Sequence, residues 1–115
     1  MKYARFGYVD ESKFEMIPEN EMNAMMDECF AYDDELRRGG HFAGGEALQE
    51  AKSAVTLRYG AKGVEVTDGP YAEAREVIGG LFIVEAASYE EVVELSKDCP
   101  HLDFGTIEIR EVQPT

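Results

Sequence analysis

Apolar and polar positions alternate from the start of the chain. In residues 2–9, KYARFGYV, Ala4, Phe6 and Tyr8 share one face while Tyr3, Arg5 and Gly7 share the other. A period of two predicts a strand, followed by a polar connection over residues 10–15. The period becomes helical over residues 19–38, where Met22, Met25, Met26, Cys29, Phe30 and Leu36 form a stripe and acids fill the opposite face. Glu19 and Glu21 suit the positive start of the helix dipole, and Arg37 and Arg38 suit its end. Gly39-Gly40 offers a left-handed stop. At the other end, either Pro18 is the first helical residue or Asn20 caps a later start. A methionine stripe at this spacing reads as core filler in preference to a ligand box.

Beyond the glycine stop the period returns to two. Residues 41–48, HFAGGEAL, predict a short strand with a bulge at Gly44-Gly45. Residues 54–59 and 63–67 alternate around Gly60-Ala61-Lys62, a hairpin signal. Residues 77–86 are apolar on both faces, Ile78, Phe82 and Val84 on one and Leu81 and Ile83 on the other, as in a central strand. Ser88 followed by Glu91 is a capping-box pattern opening a second helix that runs to about residue 98, before Pro100. Residues 104–112 alternate as a last strand, with Ile107 and Ile109 on one face. The expected fold class is α+β: one domain over residues 1–115 with a ferredoxin-like βαββαβ order and an inserted β-hairpin. Two helices cover only one face of such a sheet. The open apolar face predicts a homodimer with these faces turned toward each other.

Charge narrows the function classes. The chain has 115 residues with 11 Lys and Arg against 24 Asp and Glu, a formal net charge of −13. Phosphate backbones attract Lys and Arg, so direct nucleic-acid binding is not expected, nor is binding to an anionic membrane. No apolar run approaches the ~20 residues of a membrane span. The opening MKYARFGYVDE, with Arg5 in its apolar stretch and no small-residue cleavage site, reads as a strand and not as a signal peptide, so a cytoplasmic location is expected. Cys29 and Cys99 fit no metal or redox spacing, and Cys29 reads as an inert buried thiol. Asp33, Asp34 and Glu35 are consecutive on a helix and point in different directions, so they do not chelate one ion. No phosphate-binding glycine loop or Ser-His-Asp arrangement is legible, and neither a cofactor nor a metal is expected.

One stretch carries more information than a turn requires: TDGPYAEAREVIGG, residues 67–80. Asp68, Gly69 and Pro70 make a rigid turn through side-chain hydrogen bonding, free φ and fixed φ. Tyr71 and Glu73 are not needed for that turn. Gly79 and Gly80 forfeit packing within a central strand and mark a close approach of another group. They predict a small pocket lined by Phe82 and by Tyr8 or Tyr3, closed by the Asp68 loop. His41 and His101 are the histidines. His101, in the loop entering the last strand, is the candidate acid–base group, with Asp68 as partner if both lie at one end of the sheet or meet across a dimer.

With these residues in view, the chain resembles the DGPF branch of the YCII-related family. The likeness rests on TDGPYAEAREVIGG, on the opening MKYARFGY, on GGEAL and on the ending CPHLDFGTIEIREV. Tyr71 stands where Phe is usual, Ala74 and Arg75 where Thr and Lys are usual, and Glu111 where Pro is usual; Arg5 and Gly7 interrupt a normally more apolar strand. The resemblance implies a dimeric α/β-barrel of ferredoxin-like subunits. It implies little chemistry: the wider family has a suspected His–Asp pair, and the DGPF branch has no settled activity, some members being associated with sigma-factor genes. The residues singled out are Asp68 and His101 as a catalytic pair, with Tyr71, Glu73, Gly79, Gly80, Phe82 and Tyr8 around a small-molecule ligand. The alternatives are a non-catalytic regulatory or protein-interaction module associated with transcription and, by analogy of fold alone, a cofactor-independent oxygenase.

Overall fold

The chain was analysed as a computed structural model that describes residues 1–72 and 74–114. Its elements are β1 (Lys2–Val9), α1 (Glu11–Phe14), α2 (Glu19–Arg38), β2 (Phe42–Ala47), β3 (Val55–Gly60), β4 (Gly63–Asp68), β5 (Val77–Glu85), α3 (Tyr89–Ser96) and β6 (Gly105–Glu111). Four strands form an antiparallel sheet in the order β2-β5-β1-β6, and β3 and β4 form a separate two-stranded sheet. The molecule is thus a mixed α and β structure with antiparallel sheets. Among the described residues no helix is long and apolar enough to cross a membrane.

β1 is central because both its edges are paired, with β5 on one side and β6 on the other. Its alternation sends Tyr3, Arg5, Gly7 and Val9 to the buried face. There Tyr3, Val84 and Val92 are 0–1% exposed and pack with Ala86, joining β1, β5 and α3. A second cluster, Tyr32, Leu36 and Cys99 with Phe42 and Ile107 against it, joins the end of α2 to the sheet. Both helices therefore cover the same face. Ala4, Phe6 and Tyr8 line the opposite face with their register partners Ile83, Leu81 and Ile78. Ile78 and Leu81 are 40% and 39% exposed there.

Three expectations are corrected. Residues 10–15 are not a plain connection: Asp10 caps the helical turn α1 by accepting from the Ser12 N–H at 3.1 Å and from its hydroxyl at 2.6 Å. The Ser12 hydroxyl, and after it Arg75, holds the Asp10 carboxyl below the usual carboxylate range. Ile78 is not on the face of Phe82 and Val84, because the register slips between Gly7 and Tyr8: Gly7 faces Gly80 and Tyr8 faces Ile78, leaving Gly79 as a bulge. The stripe of α2 is not packed throughout. Only Tyr32 and Leu36 of that helix are buried, and Met26 and Phe30 are 40% and 61% exposed.

The ends of elements follow local chemistry. Pro18 occupies the N-cap of α2 without a side-chain hydrogen bond. Ser88 accepts from the Glu91 N–H at 3.2 Å, while the Glu91 carboxylate reaches the Ala87 N–H at 2.9 Å, one residue beyond the usual reciprocal position. β2 is irregular between Phe42 and Gly45, where both Gly44 and Gly45 have positive φ. Because Leu36 carries much of the contact between α2 and the sheet, Leu36→Ala is expected to lower unfolding free energy by about 2–5 kcal/mol in urea titrations. A loss below about 1 kcal/mol would show that this cluster does not hold the helix in place.

Candidate functional site

Where α2 stands off the sheet there is a cavity of about 1090 Å3. Met22, Met25, Met26 and Cys29 of α2 form one wall, while Arg5, Gly7, Gly79, Gly80 and Phe82 of the central strands form the other. His101 and Phe104 close one end. The stripe that reads as core in sequence is therefore a cavity wall, since the strand positions opposite it include glycines with no side chain to meet it.

Those glycines also seat the histidine. A Cβ on Gly7 would lie 2.9 Å from His101 Cε1, and one on Gly105 would lie 2.6 Å from His101 Nε2. The imidazole thus rests directly on backbone, on a short 3-10 turn over Pro100–Asp103. Its Nε2 is 2.9 Å from the Tyr8 carbonyl. A carbonyl only accepts, so Nε2 carries the proton and the neutral ring keeps its lone pair on Nδ1. The ring packs edge-on against Phe104, with centroids 4.9 Å apart. Burial foremost lowers the His101 pKa below 6.5; the Tyr8 and Thr106 carbonyls and Glu76 oppose this, and Arg5 adds to it.

Arg5 is the group that strand reading passes over. It is 4% exposed on the helix-covered face of β1 and lines the cavity. One of its terminal nitrogens donates to the Tyr32 hydroxyl at 3.2 Å, and that hydroxyl donates to the Leu95 carbonyl at 2.5 Å. The guanidinium carbon lies 5.3 Å from the ring centres of both Tyr32 and Phe82. Among the described residues it makes no ion pair. Burial raises the Asp33 carboxyl despite the opposing charge of Arg5. Burial likewise raises the Cys29 thiol to about 11 and raises Cys99, so both thiols stay protonated near neutrality. Among the described residues no cluster of three His, Cys, Asp or Glu could hold a metal ion.

The residues proposed from sequence divide. His101, Gly79, Gly80 and Phe82 line the cavity. Tyr8 does not: its ring lies on the open sheet face and its hydroxyl donates to Glu108 at 3.1 Å, leaving only its carbonyl at the His101 ring. Tyr3 is in the core. Asp68 and Tyr71 are exposed at the end of β4 and just beyond it, outside the cavity lining, and none of the described residues of the Asp68 loop closes the cavity. The Arg58 guanidinium sits 5.5 Å from the Tyr71 ring centre. No hydrogen bond joins Asp68 to His101 among the described residues. Glu73 lies outside the described residues. The motif does reach the domain body through Arg75, whose Nε is 3.2 Å from Asp10. Arg5, Gly7, Tyr32 and Cys99 were missed, although a charged residue and a glycine inside an alternating first strand are a signal visible in the sequence.

The model of the YCII-related domain matches residues 1–115, so the chain belongs to that family. It is similar to an uncharacterised protein of Rhizobium meliloti (strain 1021), with 29% identity over 112 residues, 96% of this chain and 90% of that one. In fold it resembles the 5-chloro-2-hydroxyhydroquinone dehydrochlorinase of Burkholderia phenoliruptrix AC1100, solved in complex with 2,5-dihydroxybenzoquinone. That likeness has a TM-score of 0.52 at 14% identity and covers 98% of this chain and 94% of the other.

The His101 environment sets a pH dependence. With the folded pKa below 6.5, the unfolded chain binds more protons just under that value. This contribution to stability is complete above 6.5 and is lost as pH falls from there through the folded pKa. An NMR titration of the imidazole should give a midpoint below 6.5, and His101→Gln should flatten the fall in unfolding free energy over that window. A midpoint above 6.5 would contradict the buried, neutral ring.

Proposed function

We propose that this YCII-related chain is one subunit of a small-molecule-binding homodimer, with the cavity between α2 and the sheet as its ligand site and His101 as its acid–base group. The observation that carries this reading is the setting of His101: a neutral imidazole seated on glycine backbone at the end of a large cavity with apolar walls. Such cavities with a few fixed polar groups are the usual form of small-ligand sites. The fold neighbour's complex with 2,5-dihydroxybenzoquinone supports a ligand of ring size. Acid–base work rests on His101 alone within one chain. Asp68 joins it only if the projecting hairpin reaches the cavity of a second copy. The Asp-Gly-Pro turn at residues 68–70 supports placing the chain in the DGPF branch.

The open sheet face supports the dimer. Among the described residues no helix packs over Phe6, Tyr8, Ile78, Leu81 and Ile83, and a second copy turned face to face would close them into a dimeric α/β-barrel of ferredoxin-like subunits. The hairpin β3–β4 adds a reading in which the protein also acts through partners. Its register puts Leu57 opposite Val66 and Tyr59 opposite Val64 on one face, all of them 55% exposed or more. A two-stranded hairpin is marginal in water unless such a face is covered. The oxygenase-like alternative needs a dry aromatic cavity, and a guanidinium in the wall fits it less well.

Two measurements test the reading. Scattering mass at micromolar concentration should be that of a dimer, and Leu81→Arg should yield a monomer; a wild-type monomer would overturn the barrel. In methyl spectra of the methionines, titration with millimolar hydroquinone should move Met22 and Met25 and leave Met1 and Met16 in place. Unmoved cavity methyls would count against this site.

A further inference from the structure

The cavity contains a cation that, among the described residues, has no anion in contact with it. Arg5 has five N–H donors, all in one plane. One hydrogen bond, to the Tyr32 hydroxyl, accounts for part of this capacity. None of its nitrogens is among the sealed, unpartnered polar atoms of the described residues, where only the Ser96 hydroxyl is found. With the side chain 4% exposed and lining the cavity, the remaining donors open onto the cavity and not onto the outer surface. A buried cation is costly without a counter-charge, and among the described residues no acid forms an ion pair with Arg5. Asp33 is near enough to act on Arg5 through space but forms no ion pair with it.

We infer that the cavity takes a compact monoanion with a planar apolar body, such as an aromatic or unsaturated carboxylate, its charged oxygens held by the guanidinium of Arg5 and its body lying against Phe82 and the methionines of α2. This rests on the cavity being the ligand site. The paired oxygens of a carboxylate match the fork of donors on a guanidinium. Tyr32 fixes the fork, because its hydroxyl is itself anchored on the Leu95 carbonyl. The lining selects against higher charge: Glu11, Glu46 and Glu50 belong to it, and its other Lys and Arg side chains are paired, Lys52 to Glu50 at 3.0 Å and Arg37 to Asp34 at 2.7 Å. A phosphate ester with two charges would meet these carboxylates and, in Arg5, one cation that has no contact ion pair among the described residues. With the carboxylate on Arg5, the body of the ligand lies within the same cavity as the neutral His101, whose Nδ1 lone pair is free to take a proton.

Benzoate and benzamide, alike in shape and different in charge, provide the test. In wild-type protein, benzoate should move the Met22 and Met25 methyl signals at a concentration at least tenfold lower than benzamide does, and should shift the Arg5 side-chain 15N signal where benzamide does not. In Arg5→Met the preference should vanish while hydroquinone still moves the same methyls. Equal binding of benzoate and benzamide to wild-type, or a preference that survives Arg5→Met, overturns the inference and leaves the cavity reading standing. Failure of all three compounds to move the methyls overturns both. Should Arg5→Met not fold, the wild-type comparison and the Arg5 15N signal decide alone.

Discussion

Two glycines face each other across the two central strands, Gly7 in β1 and Gly80 in β5, both on the side that the helices cover. Much else depends on that bare lane of backbone. The imidazole of His101 can lie on the sheet only because Gly7 has no Cβ. Methionine side chains on α2 face the lane without being buried, and the buried residues of the helix, Tyr32 and Leu36, lie toward its C-terminal end. The space left over is the cavity. A packed core at this place would have required branched side chains at positions 7 and 80, and the protein forgoes that burial.

The second consequence is electrostatic. Removing side chains from the lane leaves room for the guanidinium of Arg5 under the helix, between the rings of Tyr32 and Phe82. The negative chain around it provides a diffuse field and, among the described residues, no contact ion pair. Burial pushes the nearby thiols and Asp33 toward their neutral forms, and the same burial, aided by Arg5, keeps His101 neutral. One fixed charge and one neutral base thus share a site in which Asp33, Cys29 and Cys99 are held toward their neutral forms. Both belong to rigid elements, one on a central strand and one on a short turn seated on glycine backbone.

The long helix over residues 19–38 was legible because amphipathic period, end charges and the glycine stop agree, but its cap was not: Pro18 is the N-cap, neither the first helical residue nor replaced by Asn20. So were the central strands and the pairing of the hairpin. The face of Ile78 was not, since a bulge of one residue reverses the side-chain alternation and the double glycine marks a bulge without locating it. His101, Gly79, Gly80 and Phe82 were singled out from residue type, and the structure lines one cavity with them. Asp68 was attached to that group because of its place in a family motif. It stands on a hairpin that forms its own sheet, which spacing along the chain does not reveal.

Periodicity is a local property, and it was enough for the elements, their order and the single helix-covered face. Which partners stand opposite one another is a long-range property. The same stripe of Met22, Met25, Met26 and Cys29 is core if side chains meet it and a ligand wall if glycines do. That outcome depended on strand register across more than seventy residues, Gly7 against Gly80. Arg5 shows the same division. Its place in the alternation put it on the Tyr3 face from the outset, but its burial, its hydrogen bond to Tyr32 and the open donors beside it arise only when α2 folds back over β1.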